Sequence, residues 1–303
     1  MGINKEIEYK LVFRDECEMC KSKDVKLLGK RLNTAQGKKP KNKVGISVSI
    51  MECNKCGLIY PEPLPIPLNI QDHYGVNPDS YWNDDYFKFD KNYFKSEIET
   101  VKKLYQGEGQ IKALDIGSGI GKCMTSLNKA GFDAYGLEPS ETFRKLAIER
   151  GGIAEDRLFL SPIEDFEFEE NFFDFVTFGA VLEHLYHPET AIKKALSFLK
   201  PGGLIHIEVP SSDWLIARLA NRFYKFTRQD YVVNLSPMHS PYHLYEFSLD
   251  SFNKVANKLG FEVAHYDYFV CQTYAPKPFD RFLANYMKKT NKGMQLSIWL
   301  RKK

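Results

Sequence analysis

Three glycines at alternate positions form the most informative motif of the chain. Gly117, Gly119 and Gly121 lie between a hydrophobic run that contains Asp115 and a segment with helical periodicity. Glycine allows a tight turn and a close approach of a ligand to the main chain, where N–H groups at a helix start point outward. The spacing Gly-x-Gly-x-Gly differs from the Gly-x-Gly-x-x-Gly of dinucleotide-binding domains. The motif therefore predicts a strand–turn–helix unit that contacts a ligand.

An acidic residue follows the next predicted strand. Asp133–Leu137 has strand character, and Glu138 comes directly after it, seventeen residues beyond Gly121. In a doubly wound domain, an acid at the tip of the second strand binds the hydroxyls of a ribose. The alternative is a solvated loop carboxylate, but the glycine turn upstream favours ribose binding by Glu138.

Four of the six cysteines form two Cys-x-x-Cys pairs, and a short β-type run precedes each pair. Two such turns can place four thiolates around one ion, as in closed structural zinc sites. A redox role would normally need only one pair, set before a helix. We therefore expect a structural Zn²⁺ in a zinc ribbon. Its predicted ligands are Cys17, Cys20, Cys53 and Cys56.

Predicted strands and helices alternate after residue 110, which indicates a parallel sheet with helices on both faces. The fold class is therefore α/β, with a doubly wound, mostly parallel, Rossmann-like sheet. The predicted strands are Ile111–Ile116, Asp133–Leu137, Leu158–Leu160, Phe173–Phe178, Leu204–Val209, Phe261–Tyr268 and Gln295–Leu300. The predicted helices span 121–131, 140–150, 188–199 and 249–259.

Proline spacing suggests how the chain divides. Alternating prolines over Pro61–Pro67 exclude a helix and favour an extended, stiff connector. We therefore predict a zinc-ribbon module at 1–67, an aromatic-rich helical linker or cap at 68–110, and an α/β domain at 111–303. An insertion at 211–247 follows the fifth strand and is expected to cover a substrate.

Five motifs occur in the same order as in class I S-adenosylmethionine-dependent methyltransferases, which the chain resembles over about 111–300. The motifs are Leu114–Gly121, Gly136–Ser140, Phe172–Phe178, Val181–Leu185 and Leu199–Gly203. With the N-terminal ribbon, the pattern is similar to bacterial methyltransferases of sugar and secondary-metabolite pathways. The resemblance implies a seven-stranded sheet whose last two strands form an antiparallel hairpin.

The resemblance also implies which residues bind S-adenosylmethionine. The glycine turn would contact the methionine part, and Glu138 would bind the ribose. Ile163 and Glu164 would flank the adenine, and Gly179 and Ala180 would line the sulfonium. The full implied set is Asp115, Gly117, Ser118, Gly119, Gly121, Glu138, Pro139, Ile163, Glu164, Gly179 and Ala180.

His243 is the predicted general base. In related enzymes a His-x-x-x-Phe-Ser stretch after the fifth strand reaches the substrate pocket, and His243–Ser248 matches this pattern. An unperturbed imidazole pKa near ~6.5 suits proton removal at neutral pH. Tyr242 is expected to hold the acceptor, and Tyr74 to close over the methyl group. The alternative for His243 is a helix-capping or packing role. Glu183, His184 and His187 could form a metal cluster, but a structural or cofactor-shielding role is favoured for them, because Glu-His at this point is common in the family that the chain resembles.

Composition is ordinary for a globular chain of 303 residues, with 43% apolar and 27% charged residues. No run approaches the ~18–20 apolar residues of a membrane-spanning helix, and the N-terminus lacks the apolar core of a secretion signal. We therefore expect a cytoplasmic protein with no transmembrane segment. Residues 1–66 carry thirteen Lys or Arg against eight Asp or Glu, including the basic run Lys38–Lys43.

The leading functional hypothesis is methyl transfer to a small-molecule or glycan-type acceptor, such as a nucleotide-linked or polysaccharide sugar in carbohydrate biosynthesis. One alternative is an RNA methyltransferase that uses the basic ribbon, although the α/β domain itself is not basic. Another is a non-catalytic, cofactor-binding interaction module. The segment Asp213–Arg228 is either a lid helix with a solvated basic face or a lid that meets a phosphate-bearing or lipid-linked substrate.

Overall fold

Five short strands before residue 68 form two small antiparallel sheets. The computed structural model describes residues 7–34, 45–69, 73, 90, 92–271 and 276–303. The strands are Tyr9–Val12 (β1), Val25–Leu32 (β2), Ser47–Cys53 (β3), Ile59–Glu62 (β4) and Leu64–Pro67 (β5). β2, β3 and β4 form one sheet, and β1 pairs with β5 in the other. The proline-rich segment is extended, as predicted, but its backbone pairs with two other strands and is not a free connector.

The seven strands of the main sheet follow from residue 112. They are Lys112–Ile116 (β6), Asp133–Leu137 (β7), Leu158–Phe159 (β8), Phe173–Gly179 (β9), Leu199–Pro210 (β10), Phe261–Phe269 (β11) and Gln295–Lys302 (β12). Their order across the sheet is β11-β12-β10-β9-β6-β7-β8. β12 is antiparallel to both of its neighbours, and the remaining pairs are parallel. The predicted doubly wound sheet with a final antiparallel hairpin is confirmed.

Seven α-helices lie in the described part of the chain. They are Lys95–Leu104 (α1), Lys122–Lys129 (α2), Glu141–Gly151 (α3), Pro188–Phe198 (α4), Leu215–Phe226 (α5), Leu249–Leu259 (α6) and Phe279–Lys289 (α7). Central strand β9 is buried at every position from Phe173 to Phe178, because helices cover both faces of a doubly wound sheet. None of these described helices is long and apolar enough to cross a bilayer.

The N-terminal sheets pack directly against the main sheet. Cys56 and Leu58 belong to the same buried apolar cluster as Phe247 and Phe252, and all four side chains are almost completely inaccessible to solvent. One continuous core therefore joins the four-cysteine region to helix α6 and to the segment before it. This shared core matters for the site, because that segment also carries His243.

Candidate active site and metal centre

A cavity of about 860 Å³ opens at the carboxyl ends of β6, β7, β9 and β10. Doubly wound domains bind their ligands at this edge of the sheet, and the volume falls within the ~300–1,000 Å³ typical of small-ligand sites. Ten of the eleven residues predicted to bind the cofactor line the cavity. They are Asp115, Gly117, Ser118, Gly119, Glu138, Pro139, Ile163, Glu164, Gly179 and Ala180.

The glycine turn has the backbone conformation that its sequence predicts. Gly117, Gly119 and Gly121 all have positive φ, at 71°, 54° and 77°. A Cβ on Gly117 would lie 2.6 Å from a methyl carbon of Val181, so a side chain does not fit there. Gly121 differs from the other two, because it does not line the cavity. It precedes α2 as the N-cap residue, and a Cβ there would meet Ile153 at 2.8 Å.

Glu138 is buried at the tip of β7, with 6% of its surface exposed. The backbone N–H of Gly119 donates to its Oε2 at 2.7 Å, and that of Ser140 donates to its Oε1 at 2.8 Å. Burial raises the pKa of Glu138 to about 7, although both backbone hydrogen bonds act in the opposite direction. Each carboxylate oxygen keeps a further acceptor position, so the group is suited to bind a pair of hydroxyls.

Asp115 carries a buried polar atom that fits the ammonium part of a ligand. Its Oδ2 has no hydrogen-bond partner among the described residues, and burial raises the pKa of this carboxyl to about 7. A buried carboxylate oxygen without a partner is unfavourable, and a cationic or hydrogen-bonding ligand would relieve that cost. The residues present therefore fit an amino-acid-type group at this position.

The cavity lining is electronegative. Five carboxylate side chains and a single lysine are among the described lining residues. The acids are Glu97, Asp115, Glu138, Glu164 and Glu208, and the lysine is Lys122. Burial raises the pKa of Asp115, Glu138 and Glu208, so a bound positive group such as the sulfonium of S-adenosylmethionine would favour their ionised forms.

His243 lines the same cavity, beside a second imidazole and a buried acid. Its Nε2 lies 3.9 Å from Oε1 of Glu183, and its ring meets that of His184 edge-on with centroids 5.0 Å apart. Burial lowers the pKa of His243 to about 4 and raises that of Glu183 to about 8. The expectation of an unperturbed imidazole near pH 6.5 is therefore wrong, because desolvation disfavours the charged form of each group.

Backbone contacts hold His243 in this position. The N–H groups of Leu244 and Tyr245 both donate to the carbonyl oxygen of Glu183, at 2.9 and 3.3 Å. Nδ1 of His184 lies 3.3 Å from the carbonyl oxygen of Tyr242, so this nitrogen carries the proton and Nε2 keeps its lone pair. The 3₁₀ turn Leu182–His184, which follows β9, and the insertion are therefore fixed to each other.

The two tyrosines predicted to assist His243 have different outcomes. Tyr74 lies outside the described residues. Tyr242 has a φ of 62° and does not line the cavity, and its ring stacks on His73 with centroids 3.9 Å apart. His73 is 3% exposed and lines the cavity itself. Sequence reasoning missed this residue, although it directly precedes Tyr74 in the aromatic linker.

The four predicted zinc ligands come together in one cluster. Their sulfur atoms lie within 4.8 Å of one another, and the Cys17–Cys56 and Cys20–Cys53 sulfur pairs are each 3.6 Å apart. With Zn–S bonds of ~2.3 Å, tetrahedrally arranged sulfurs would be about 3.8 Å apart. None of the four cysteines forms a disulfide, so all four sulfurs are free to bind a metal. Their spacing fits one tetrahedrally bound ion.

Polar contacts join this cluster to the segment that carries His243. The hydroxyls of Ser248 and Ser251, which form the capping box of α6, both donate to the carbonyl oxygen of Cys56, at 2.6 and 2.9 Å. Ile59 and Glu246 exchange two backbone hydrogen bonds of 2.9 and 3.1 Å. The four-cysteine region therefore supports the segment on which the histidine lies.

Comparison with known proteins gives a consistent family result. A family profile described as a methyltransferase domain matches residues 89–266, more than half of the chain. An uncharacterised protein of Methanocaldococcus jannaschii is 30% identical over 167 residues, which are 52% of this chain and 72% of that protein. The ubiquinone biosynthesis O-methyltransferase of Bradyrhizobium diazoefficiens is 29% identical over 115 residues, covering 37% of this chain and 45% of the enzyme. The chain therefore spans less than half the length of that enzyme.

Solved structures resemble the chain at the level of the fold. The crystal structure of an S-adenosylmethionine-dependent methyltransferase from Archaeoglobus fulgidus is 17% identical, with a TM-score of 0.48 and coverage of 72% of this chain and 97% of that one. One from Methanosarcina mazei is 18% identical, with a TM-score of 0.48 and coverage of 67% and 96%.

Proposed function

The chain belongs to the methyltransferase domain family and is an S-adenosylmethionine-dependent methyltransferase, and we propose that it methylates a hydroxyl or an acidic carbon of a small-molecule or glycan-type acceptor. The observation that carries the acceptor proposal is the half-buried His243, with its lowered pKa, on the cavity wall beside Glu183. An oxygen or carbon acceptor must lose a proton, whereas a neutral amine needs little help from a base.

The cofactor half of the site would use the residues at the tips of β6 and β7. When bound, S-adenosylmethionine supplies a methyl group that its positive sulfur activates for displacement. Glu138 would bind the ribose hydroxyls, and Asp115 would attract the amino-acid end through its Oδ2, which lacks a partner among the described residues. Gly179, where an added Cβ would have no neighbour within 4 Å, would let the cofactor approach the main chain closely, and Gly117 would allow the turn itself to form against Val181. These contacts would align the methyl group toward the acceptor side of the cavity.

The acceptor side of the cavity is built from imidazoles and a proline. Its lining includes His73, His184, Pro241 and His243. Rings of this kind pack against the face of a sugar or of an aromatic ring and hydrogen-bond hydroxyls. Neither Lys nor Arg is among these described residues, so a phosphate of the acceptor would bind outside this part of the cavity.

Proton removal would fall to His243 with Glu183 as its positioning partner. Nε2 of His243 would take the proton as the acceptor atom bonds to the methyl carbon and the carbon–sulfur bond breaks onto sulfur. Glu183 is mostly protonated below its raised pKa of about 8 and ionised above it. An ionised Glu183 at 3.9 Å would stabilise the imidazolium, so the base should become stronger as pH rises through about 8.

The four cysteines would hold a structural Zn²⁺. All four coordination positions would be filled by thiolates, which leaves no open position for chemistry. Three of the four cysteine side chains are buried in the core shared with α6, which supports a role in shape and not in catalysis. Its part in the reaction would be indirect, through the backbone of Cys56 that anchors the start of α6.

The proposal is tested by methyl transfer from isotopically labelled S-adenosylmethionine to a panel of nucleotide-linked sugars, polysaccharides, hydroxylated aromatics and RNA. With the acceptor found, His243→Ala should lower turnover by ~10²–10⁴-fold, the usual share of general-base catalysis. Glu183→Gln should remove the rise in turnover through about pH 8. Tyr242→Phe is the matched control, because it keeps the ring that stacks on His73 and the backbone carbonyl.

Near-wild-type turnover by His243→Ala on a hydroxyl or carbon acceptor would contradict the assignment of the base. Selective methylation of an amine would overturn the acceptor class while leaving the enzyme class intact. Tight RNA binding with methylation of one nucleotide would favour the alternative function. The basic run Lys38–Lys43, which suggested RNA, lies outside the described residues.

A further inference from the structure

Helix α5 exposes an apolar stripe to solvent. Leu219, Phe223 and Phe226 are spaced four and three residues apart, which places them on one face of the helix. All three are exposed, and Phe226 has 86% of its surface accessible. Large apolar side chains on one exposed helix face mark a surface that contacts a protein or a membrane.

Helix α7 repeats this arrangement. Phe279, Phe282 and Tyr286 are three and four residues apart and therefore lie on one face. All three are exposed, and Phe282 is 72% accessible. The described residues of the protein thus contain two helices whose outward faces are aromatic.

Both helices leave the sheet at the edge where the cavity opens. Pro210 ends β10 shortly before α5, and it pairs with Gln295, the first residue of β12. Phe269 ends β11 before α7, and it pairs with the same Gln295. The backbone N–H of Leu215 at the start of α5 donates to the carbonyl oxygen of Lys292, just beyond α7, at 3.2 Å. The start of α5 and the end of α7 therefore adjoin each other at the end of the sheet where the cavity opens.

Positive charge accompanies the aromatic residues. The α5 segment, residues 215–228, carries four basic and no acidic side chains, and the α7 segment, residues 277–292, carries five basic and one acidic. Two of these basic residues are ion-paired with acids outside the two segments, Arg218 with Asp213 and Glu52 and Lys288 with Asp267. The others are Arg222, Lys225, Arg228, Lys277, Arg281, Lys289 and Lys292. Two copies of so positive a face would repel each other. The charge instead matches a surface that is both anionic and apolar beneath, which is the character of a bilayer with acidic headgroups.

We propose that α5 and α7 together form a docking surface for an anionic lipid bilayer, with the aromatic side chains inserted at the headgroup boundary and the basic ones at the lipid phosphates. The geometry would hold the cavity mouth against the membrane, where a lipid-linked acceptor is presented. Binding to the bilayer is independent of the proposed reaction, so its test requires no acceptor.

The test is co-sedimentation of the full chain with vesicles of phosphatidylcholine alone or with one quarter phosphatidylglycerol. The wild type should bind the anionic vesicles at least tenfold more strongly, and added salt should weaken this binding. Phe226→Ser and Phe282→Ser should each lower the partition coefficient about tenfold, since each removes a large inserted apolar surface. Arg222→Glu with Lys225→Glu should lower it at least as much.

Phe13→Ser is the matched control, because Phe13 is 76% exposed and lies outside both helices. Melting temperatures and S-adenosylhomocysteine affinities of all variants should equal those of the wild type, since the substituted side chains are exposed. The proposal would be overturned if the wild type bound neither kind of vesicle or bound both equally well. It would also be overturned if Phe13→Ser lost as much vesicle binding as Phe226→Ser. A dimer that dissociates in Phe226→Ser, or selective, salt-sensitive binding of RNA by this face, would overturn it as well.

Discussion

The buried carboxyl of Glu138 leads to a quantitative prediction about cofactor affinity. Its pKa is raised to about 7 by burial, so near neutral pH about half of the ligand-free molecules carry a protonated Glu138. Ribose hydroxyls would donate hydrogen bonds to the ionised carboxylate, so binding would favour loss of this proton. Affinity for the cofactor should therefore increase as pH rises, in the direction that linkage requires.

The magnitude follows from the ionised fraction. For a pKa of about 7, that fraction rises from about 9% at pH 6 to about 91% at pH 8, which is a tenfold gain in affinity or about 1.4 kcal/mol. Glu138→Gln should weaken binding at pH 8 by about 1.5–3 kcal/mol, the usual cost of losing hydrogen bonds to a charged group. Near pH 6 the ratio of the Glu138→Gln dissociation constant to the wild-type one should be about tenfold smaller than at pH 8, because protonated Glu138 and glutamine are both neutral.

Titration calorimetry with S-adenosylhomocysteine at pH 6, 7 and 8 measures both effects. The pKa of Asp115 is also raised to about 7, so this carboxyl can add a second pH-dependent contribution to the affinity. The informative quantity is therefore the difference in binding free energy between wild type and Glu138→Gln at each pH. Glu164→Gln removes a carboxylate from the exposed rim of the same cavity and should preserve the pH dependence. A constant gap between wild type and Glu138→Gln across this range would refute the role given to Glu138.

Three further predictions concern the scaffold. Cys53→Ser should abolish the one zinc per chain that elemental analysis is expected to find. Because the cysteine region shares one core with the sheet, the substitution should also lower the midpoint temperature of a single calorimetric unfolding transition. It should not create a second transition. Gly117→Ala should cost about 2–4 kcal/mol in urea unfolding, from positive φ and a steric clash, whereas Gly131→Ala, with a φ of 89° and no neighbour within 4 Å, should cost about 1–2 kcal/mol. Ser248→Ala should destabilise the chain by about 1–3 kcal/mol and lower turnover, because it removes the helix cap and a contact to the cysteine region.

Local sequence patterns predicted the sheet and ten of the residues that line the cavity. The alternation of strands and helices, the glycine turn and the acid after the second strand each depend on a few neighbouring residues. Gly121 shows where this reasoning weakens. Its positive φ starts α2, and Ile153 occupies the space beside it, so a glycine within the motif lies outside the cavity. Spacing alone does not distinguish a glycine that admits a ligand from one that admits a neighbouring side chain.

The acceptor side depends on contacts between residues far apart in the chain. His243 owes its lowered pKa to burial in a wall that β9, the insertion and the aromatic linker build together. His73 reaches this wall from the aromatic linker, and its ring stacks on Tyr242, which is 169 residues later. Such proximity follows from tertiary packing, so the sequence could indicate His243 as a candidate but not its ionisation.

The contact between Cys56 and Ser248 has a consequence for the order of synthesis. The two residues are 192 positions apart, and the ribosome completes the cysteine region long before it makes the serine. At ~5–20 residues per second, that interval is about 10–40 s. During this time the apolar wall later covered by Phe247 and Phe252 is open to water. The early part of the chain must therefore stay soluble until its partner emerges, so a translational pause in the second half would prolong its exposure to chaperones and proteases.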